Sequence, residues 1–257
     1  MDKKDLQNPA LYTNRELSWL LFNKRVLSEA RDKQLLLFER LKFLSITASN
    51  LDEFFMVRIG SLVDMIHAEY TKKDIAGMSA KEQLDALMEE THKFAALQYS
   101  TYNRMLLPQL RANGLNFVEH HEQLTERQAQ YVDEYFEENV YPVLTPMAVD
   151  SSRPFPLIRN KTLNIGALVA KKGEKDTEIE FATVQVPSVL PRVVRIPAAK
   201  EGDTEVAVLL LEEIIERNIS KLFLNYNVLC AHPFRITRNA DLAIDEDEAE
   251  DLLLEIE

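Results

Sequence analysis

The chain has 257 residues, of which 46% are hydrophobic and 28% are charged, with a formal net charge of −12 and one cysteine. This length allows one large domain or two modest ones, and the composition excludes a disordered chain, a collagen-like repeat and a disulfide scaffold. The six glycines lie at least seven positions apart, which excludes the glycine-rich phosphate-binding loops G-x-G-x-x-G and G-x-x-x-x-G-K.

The first two-fifths of the chain are predicted to be helical, because apolar residues recur there at intervals of three and four. Helices are predicted over residues 14–32, 37–48, 51–70 and 80–112. Ser49 and Asn50 are predicted to separate the second helix from the third. Pro108 is predicted to kink the last turn of the fourth helix, before a left-handed C-cap at Gly114. Together these elements predict an antiparallel bundle of three long helices, which we assign as a domain over residues 1–113.

Capping boxes are predicted at three helix starts, where a Ser or Thr is followed three positions later by Glu or Gln. In this motif the two side chains each satisfy a backbone amide that has no partner within the helix. The three motifs begin at Thr13, Ser79 and Thr125. We therefore expect these residues to fix where their helices begin.

After Gly114 prolines become frequent and β-branched runs alternate with helical ones, which predicts an α+β domain. Strands are predicted over residues 163–170, 178–186, 193–196 and 229–237. Helices are predicted over residues 125–139, 209–223 and 245–257. The last helical pattern reaches Glu257 without a cap, a glycine or a basic residue to finish it. We therefore assign residues 114–257 as an α+β domain truncated at its C-terminus, in a chain that is a piece of a longer protein.

The negative charge is concentrated at the C-terminal end of the chain. Residues 241–257 hold nine of the 42 acidic residues and no basic one, which leaves 33 acidic and 30 basic residues in the first 240. A nearly neutral body does not favour nucleic-acid binding, which needs clustered Lys and Arg. No apolar run reaches the ~20 residues of a membrane span, and the polar start carries no signal peptide. We expect a cytoplasmic protein with no nucleic-acid partner and no membrane-spanning segment.

The sequence shows no complete catalytic or metal-binding set. The five histidines have no metal-ligand spacing with one another, and we interpret all of them as structural or solvated. No G-x-S-x-G nucleophile elbow is present. Cys230 lies within an apolar predicted strand, which indicates a buried small hydrophobe rather than a nucleophile. We therefore assign no catalytic residue and no metal ligand in this chain.

Asn50 has two alternative roles. By spacing alone it is an N-cap, whose amide oxygen accepts from the backbone amide of Glu53 while the Glu53 carboxylate reaches back. An asparagine amide also carries a donor and an acceptor side by side, so that it can pair bidentately with N6 and N7 of adenine. The two roles are compatible, and the spacing by itself favours the cap.

Arg58 falls within the apolar stripe of the helix predicted over residues 51–70. An arginine at such a position must be paired or must face a cleft. Glu16, Asp52 and Glu53 are its candidate partners. A structural ion pair is the favoured interpretation, ahead of a contact with a phosphate group.

Several other arginines stand beside rigid prolines or within a predicted strand. They either contact a polyanion or a partner subunit, or they are solvated or locally paired. Local pairing is the commoner situation for surface arginines. The residues concerned are Arg153, Arg192, Arg195, Arg235 and Arg238.

Six segments of the chain resemble the bacterial polyphosphate kinases, which polymerise the γ-phosphate of ATP into polyphosphate. In chain order they are NRELSWL (residues 14–20), FNKRVL (22–27), SNLDEF followed by VR (49–54 and 57–58), PFP (154–156), VPSVLPR (186–192) and FRITRNADL (234–242). Each segment is weak by itself. Together they are specific, and they cover nearly the whole chain.

The resemblance implies an N-terminal helical domain followed by the larger part of a head domain, which serves dimerisation in the family. It also implies two further domains similar to phospholipase D, which supply the phosphorylated histidine, the magnesium-linked arginines and most triphosphate contacts. Those domains are absent from this chain. The whole protein is then expected to be a homodimeric transferase that uses ATP and Mg²⁺ to extend polyphosphate reversibly, with release of ADP.

One ligand role is implied for a residue of this chain. The asparagine of the family's S-N-L-D-E-F stretch contacts the ATP base, and it corresponds to Asn50. Arg58 also matches a residue typical of the family, but the resemblance assigns it no ligand, so that it is at most a supporting residue. The chain alone is expected to be inactive and to contribute base binding and dimerisation. The alternative is a non-catalytic interaction or dimerisation module in which Asn50 is only a cap.

Overall fold

The computed structural model describes residues 7–149, 157–173 and 179–239. Their contacts divide them into two compact units. The helical unit comprises the described residues up to Leu106 together with residues 237–239, and the mixed unit extends from Leu107 to Ile236. The helix predicted over residues 245–257, the segment at 154–156 and Arg153 lie outside the described residues.

The helical unit is built from four α-helices. They are α1 (Arg15–Arg31), α2 (Leu37–Phe54), α3 (Gly60–His67) and α4 (Ala80–Thr101). The capping box at Ser79 is confirmed at the start of α4. The one predicted at Thr13 is wrong, because the side chain of Asn14 accepts from the amide of Leu17 and makes Asn14 the N-cap of α1. Asparagine is at least as good an N-cap as threonine, which explains the difference.

The helix break predicted at Ser49 and Asn50 is also wrong. Helix α2 runs without interruption to Phe54, passes into a π-helical turn over Phe55–Ile59 and continues as α3. Serine and asparagine are only moderately poor helix formers, so the tertiary packing of the apolar residues around them outweighs their local preference. The irregularity lies five residues further on, where one turn is wider than an α-helical turn.

Pro108 distorts its helix as predicted, although not by a simple kink. A π-helical turn over Tyr102–Leu106 follows α4 and precedes a short helix, α5 (Leu107–Ala112). Proline has no backbone N–H to donate to the preceding turn, which is why the helical register changes just before it. Gly114 ends the segment with φ +79°, so the predicted left-handed C-cap is confirmed.

The core of the helical unit forms where α1 packs against α2 and α4. Phe54 and Phe94 are almost completely buried, at 2% and 0% exposure. The indole ring of Trp19 stacks on Phe54 with the ring centres 4.5 Å apart. The other buried apolar residues of this core are Leu20, Leu27, Ala30, Ile59, Leu62, Ala80 and Leu87. No helix among the described residues is long and apolar enough to cross a membrane.

Acid should weaken the contact between α1 and α4 through Glu90. Its carboxylate lies 2.6 Å from the ammonium of Lys24 and 2.9 Å from that of Lys93, and these hydrogen bonds lower the pKa of Glu90 to about 2. A carboxyl whose pKa is lowered on folding contributes stability above its unfolded pKa of ~4.3, and that contribution disappears as the pH falls through the folded value. Glu90→Gln should therefore flatten the pH dependence of stability between about pH 5 and pH 2.

Urea unfolding followed by fluorescence measures this effect in the helical unit, because Trp19 is the single tryptophan of the chain. Glu89→Gln is the matched control, since Glu89 contacts Lys93 on the same helix, at 2.7 Å. The control should keep most of the acid dependence. If the free energy of unfolding fell equally in the wild-type chain and in Glu90→Gln between about pH 5 and pH 2, the assignment would be contradicted.

The mixed unit contains two sheets. The first sheet consists of β1 (Leu115–Val118), β5 (Val193–Ile196) and β6 (Val206–Leu210). Its strand order is β1-β6-β5, and β1 is parallel to β6. The other sheet is antiparallel, in the order β2-β4-β3-β7, with β2 (Pro146–Val149), β3 (Asn164–Lys171), β4 (Ile179–Gln185) and β7 (Tyr226–Phe234). The predicted succession of a helical bundle and an α+β part is thus confirmed.

Three helices accompany these sheets in the described part of the mixed unit: α5, which precedes β1, α6 (Glu126–Tyr135) and α7 (Leu211–Arg217). Helix α6 begins at the predicted capping box of Thr125 and Gln128 and passes into a π-helical turn over Phe136–Val140. The apolar core includes Val132, Phe136, Ile165, Val184, Leu209 and Ile214. Among the arginines singled out from the sequence, Arg192 is locally paired, because its Nε lies 3.1 Å from Oε1 of the buried Glu212.

Candidate functional site

One pocket of the helical unit is lined by residues of α1, α2 and the π-helical turn that follows α2. Its volume is about 210 Å³, and its lining residues are Trp19, Phe22, Asn50, Glu53, Phe54, Val57 and Arg58. The last five occur at the spacing i, i+3, i+4, i+7 and i+8, which places them on one face of a helix. The pocket therefore brings Asn50 and Arg58 together and surrounds them with three aromatic rings.

The aromatic rings of the pocket differ in exposure. Phe54 is buried and supports Trp19 by stacking. Phe22 is 46% exposed, with the guanidinium of Arg25 lying 5.9 Å from its ring centre. Exposed aromatic rings beside a cation are suited to planar, anionic ligands, because nucleobases stack on such rings.

Asn50 is an interior residue of α2, so its predicted role as an N-cap is wrong. Its Nδ2 donates to Oδ1 of Asn23 at 3.0 Å, and Nδ2 of Asn23 donates to the carbonyl oxygen of Thr47 at 3.1 Å. Asn23 and Thr47 are fully buried, at 0% exposure. The Asn50 side chain is half-buried and reaches the pocket, so the rest of its amide is available to a ligand.

Asn23 is not among the functional candidates that the sequence indicates. A signal was nevertheless present, because Leu20, Asn23 and Leu27 share one helix face and are all buried. A polar residue on an apolar face must find hydrogen-bond partners, and such a residue deserves examination as part of a site. The aromatic residues of the pocket carry no functional signal in the sequence, because they occupy apolar positions of predicted helices.

Arg58 forms the ion pair that the sequence favoured and also lines the pocket. Its Nε lies 3.9 Å from Oε2 of Glu16, a carboxylate that is only 7% exposed and that also receives the guanidinium of Arg15. The side chain of Arg58 itself is 47% exposed. It borders a second cleft of about 320 Å³ next to Glu16 as well. Arg58 therefore brings positive charge to both clefts and lies within ion-pair distance of Glu16.

The described residues of the mixed unit bring His120, Glu122 and Glu213 close enough to be considered as metal ligands. His121 lies beside them, and its Nδ1 and backbone N–H are 3.1 Å and 2.9 Å from one carboxylate oxygen of Glu213. His121 and Glu213 thus satisfy each other, whereas His120 and Glu122 are exposed. Both adjacent histidines approach Glu213, with Nδ1 of His120 at 3.8 Å and Nδ1 of His121 at 3.1 Å from its carboxylate oxygens.

Cys230 corrects another expectation from the sequence. It lies in β7, as its apolar context suggested, but its side chain is exposed rather than buried. Strand β7 is at the end of its sheet and pairs with β3 on one side. Leu168, the partner of Cys230 in β3, is exposed as well, so this part of the sheet face is open to solvent, which the apolar pattern of β7 alone does not reveal.

Comparisons with known proteins identify the same family over both units. The model of the polyphosphate kinase N-terminal domain matches residues 12–118, and that of the polyphosphate kinase middle domain matches residues 127–257. Polyphosphate kinase of Halalkalibacterium halodurans is 48% identical over 254 residues, which are 98% of this chain and 35% of the relative. That of Bacillus anthracis is 44% identical over 256 residues, or 98% of this chain and 36% of the relative.

The fold agrees with a solved structure of the same family. The crystal structure of polyphosphate kinase from Porphyromonas gingivalis superimposes with a TM-score of 0.77 at 31% sequence identity. The match covers 91% of this chain and 34% of that chain. The chain thus spans about a third of the length of the curated relatives and of the solved structure that it matches.

Proposed function

The chain belongs to the polyphosphate kinase family, of which it holds the N-terminal and middle domains, and from this premise we propose that its helical unit binds the adenine base of ATP. The observation that carries the proposal is that Asn50 and three aromatic side chains line one pocket. Bases stack on aromatic rings at about 1–3 kcal/mol per base. The Asn50 amide supplies the paired donor and acceptor that adenine N6 and N7 require.

The size of the pocket supports a ligand that is only partly enclosed. Pockets for whole small molecules hold ~300–1,000 Å³, whereas this pocket holds about 210 Å³. A base fits such a space better than a complete nucleotide does. The ribose and the triphosphate would then extend outside it, and Arg58 at the rim is the residue of this chain placed to attract their negative charge.

For the longer protein we propose reversible transfer of the ATP γ-phosphate to polyphosphate through a phosphohistidine located outside this chain. Phosphoryl transfer relies mainly on positioning and on neutralisation of charge. The share of this chain is to hold the base, and the mixed unit contributes to dimerisation. Mg²⁺ sites combine carboxylates with the phosphate oxygens of the substrate. The pocket offers one carboxylate, Glu53, beside the positive charge of Arg58. Mg²⁺ would therefore bind with the triphosphate outside the chain. The chain by itself should not turn over.

Replacement of Asn50 by alanine tests the proposal. With most triphosphate contacts outside the chain, we expect millimolar binding of ATP, equivalent to about 4 kcal/mol. Asn50→Ala should weaken ATP roughly tenfold and leave GTP unchanged, since a bidentate base contact is worth about 1–3 kcal/mol. Titrations followed by Trp19 fluorescence and by NMR measure both affinities.

The matched control is Asn103→Ala, which removes an exposed asparagine of the same unit. It should bind ATP as the wild-type chain does. Equal ATP affinity for the wild-type chain and Asn50→Ala would contradict base binding at Asn50. It would favour instead an interaction module in which Asn50 has only a structural role.

A further inference from the structure

Asn23 is a completely buried amide between two other polar groups. It lies on α1, at 0% exposure, and it joins the Thr47 carbonyl to the Asn50 side chain, both of which belong to α2. Its Nδ2 donates to the carbonyl at 3.1 Å, and its Oδ1 accepts from Asn50 at 3.0 Å. A buried amide is hydrogen-bonded in folded proteins, so these two bonds are needed whatever else Asn23 does.

The order of these bonds fixes the orientation of both amides. A backbone carbonyl only accepts hydrogen bonds, so Asn23 must turn its Nδ2 towards Thr47 and its Oδ1 towards Asn50. An amide oxygen also only accepts, so Asn50 must present its own Nδ2 to Asn23. Rotation of either amide by half a turn would place oxygen against oxygen or NH₂ against NH₂. The backbone of α2 thereby determines which end of the Asn50 amide lies nearer to α1.

The groups of Asn50 that remain for a ligand are its Oδ1 and the second hydrogen of its Nδ2. Adenine offers a matching pair on its major-groove edge, the N6 amino donor and the N7 acceptor. Guanine offers two acceptors there, O6 and N7, so that one of them would face the Asn50 oxygen. An Asn50 amide turned the other way would oppose both of these groups of adenine, whereas guanine can pair with only one group of the amide in either orientation. Fixing the amide in advance therefore lowers the cost of ordering it for adenine.

We infer that Asn23 is a positioning residue that holds the Asn50 amide in the orientation that pairs with a 6-aminopurine, and so increases the preference for it over a 6-oxopurine. The inference rests on the proposed binding of the base at Asn50. Asn23 does not line the pocket, and it acts through Asn50 rather than by touching the ligand. It therefore adds to Asn50 a second determinant of base specificity, which does not touch the ligand.

Two substitutions separate the orienting role of Asn23 from its packing. Asn23→Leu has a similar volume but removes the acceptor that holds Asn50, while the Thr47 carbonyl keeps its hydrogen bond within α2. Asn23→Asp retains that acceptor. A buried aspartic acid has a raised pKa, and its protonated form can also donate to the Thr47 carbonyl, so that it reproduces both bonds of asparagine.

The experiment compares ATP and GTP affinities of the wild-type chain, Asn23→Leu and Asn23→Asp by NMR titration. We expect a preference for ATP of roughly tenfold in the wild-type chain and in Asn23→Asp, and a preference that is roughly three- to fivefold smaller in Asn23→Leu, because ATP must then order the Asn50 amide itself. An unchanged preference in Asn23→Leu would overturn the inference. If Asn50→Ala also binds ATP like the wild-type chain, the proposed binding of the base has failed. If Asn50→Ala loses affinity for ATP while Asn23→Leu keeps the wild-type preference, only the role of Asn23 has failed.

A second measurement does not depend on any variant being folded. In the wild-type chain without ligand, one hydrogen of the Asn50 side-chain amide should exchange slowly with water, because it is bonded to Asn23, and the other should exchange rapidly. NMR of the labelled chain resolves the two hydrogens. Rapid exchange of both would show that Asn23 does not hold the amide.

Discussion

Replacing Phe54 with alanine is expected to lower the free energy of unfolding of the helical unit by about 3–5 kcal/mol. Phe54 is 2% exposed, stacks on Trp19 at 4.5 Å and contacts the edge of Phe55. Its removal would leave a cavity between α1 and α2 and would take away one side of the pocket. Urea unfolding followed by Trp19 fluorescence measures the loss.

Phe94→Ala is the matched control for the pocket. Phe94 is 0% exposed and belongs to the same unit. Its replacement by alanine should therefore lower the free energy of unfolding by a similar amount, about 3–5 kcal/mol. It does not line the pocket, however. Only Phe54→Ala should alter the fluorescence of folded Trp19 and the binding of ATP. A loss of less than about 1 kcal/mol on Phe54→Ala would contradict the described packing of α1 on α2.

The second large effect is expected at Arg40. This arginine is only 2% exposed, and its Nε donates to the carbonyl of Ala30 at 3.0 Å. Ala30 lies in the last turn of α1, where carbonyl oxygens have no partner within the helix. Arg40→Ala should therefore lower the stability of the helical unit by about 3 kcal/mol, through the lost charged hydrogen bond and the lost packing of the side-chain stem.

Arg40→Met separates these two contributions. Methionine fills much of the space of the arginine stem but cannot donate a hydrogen bond to Ala30. Arg40→Met should lower the free energy of unfolding by about 1.5–2 kcal/mol, because a hydrogen bond from a charged donor contributes about this much. This loss is smaller than that expected for Arg40→Ala. The same urea titration measures both variants. Wild-type stability in Arg40→Met would show that the capping bond contributes nothing.

The helices of the first unit follow from the sequence because their apolar periodicity is long and regular. Their interruptions follow less well. Asn50 and Glu53 have the spacing of a capped helix start, yet α2 continues through them because the packing of the surrounding apolar residues outweighs this local preference. The three π-helical turns carry no distinct sequence signal, since a wider turn depends on how the helix fits its neighbours.

In the mixed unit the missed elements are short or ambiguous. Strand β6 begins an apolar run that continues directly into α7, and periodicity cannot separate a short buried strand from a buried helix. It is a strand because β1 and β5 pair with it on both sides. Strands β1 and β2 have four residues each, too few for an alternating pattern to be recognised.

The candidate site could be predicted in part. The resemblance singled out Asn50, and the misplaced charge of Arg58 indicated a pair or a cleft, both of which the structure contains. The bond from Asn50 to Asn23 was not predictable, because it joins residues 27 positions apart and depends on the packing of α1 on α2. The same packing makes Trp19 and Phe22 walls of a pocket.

Base recognition by the helical unit is tested most directly through the Asn50 side-chain amide, observed by NMR in the isotope-labelled chain during titration with ATP, adenosine and inorganic triphosphate. ATP and adenosine should shift this signal in a saturable way, and triphosphate should leave it unchanged. An Asn50 signal that does not respond to several millimolar ATP, or that responds equally to triphosphate, would contradict recognition of the base by this pocket.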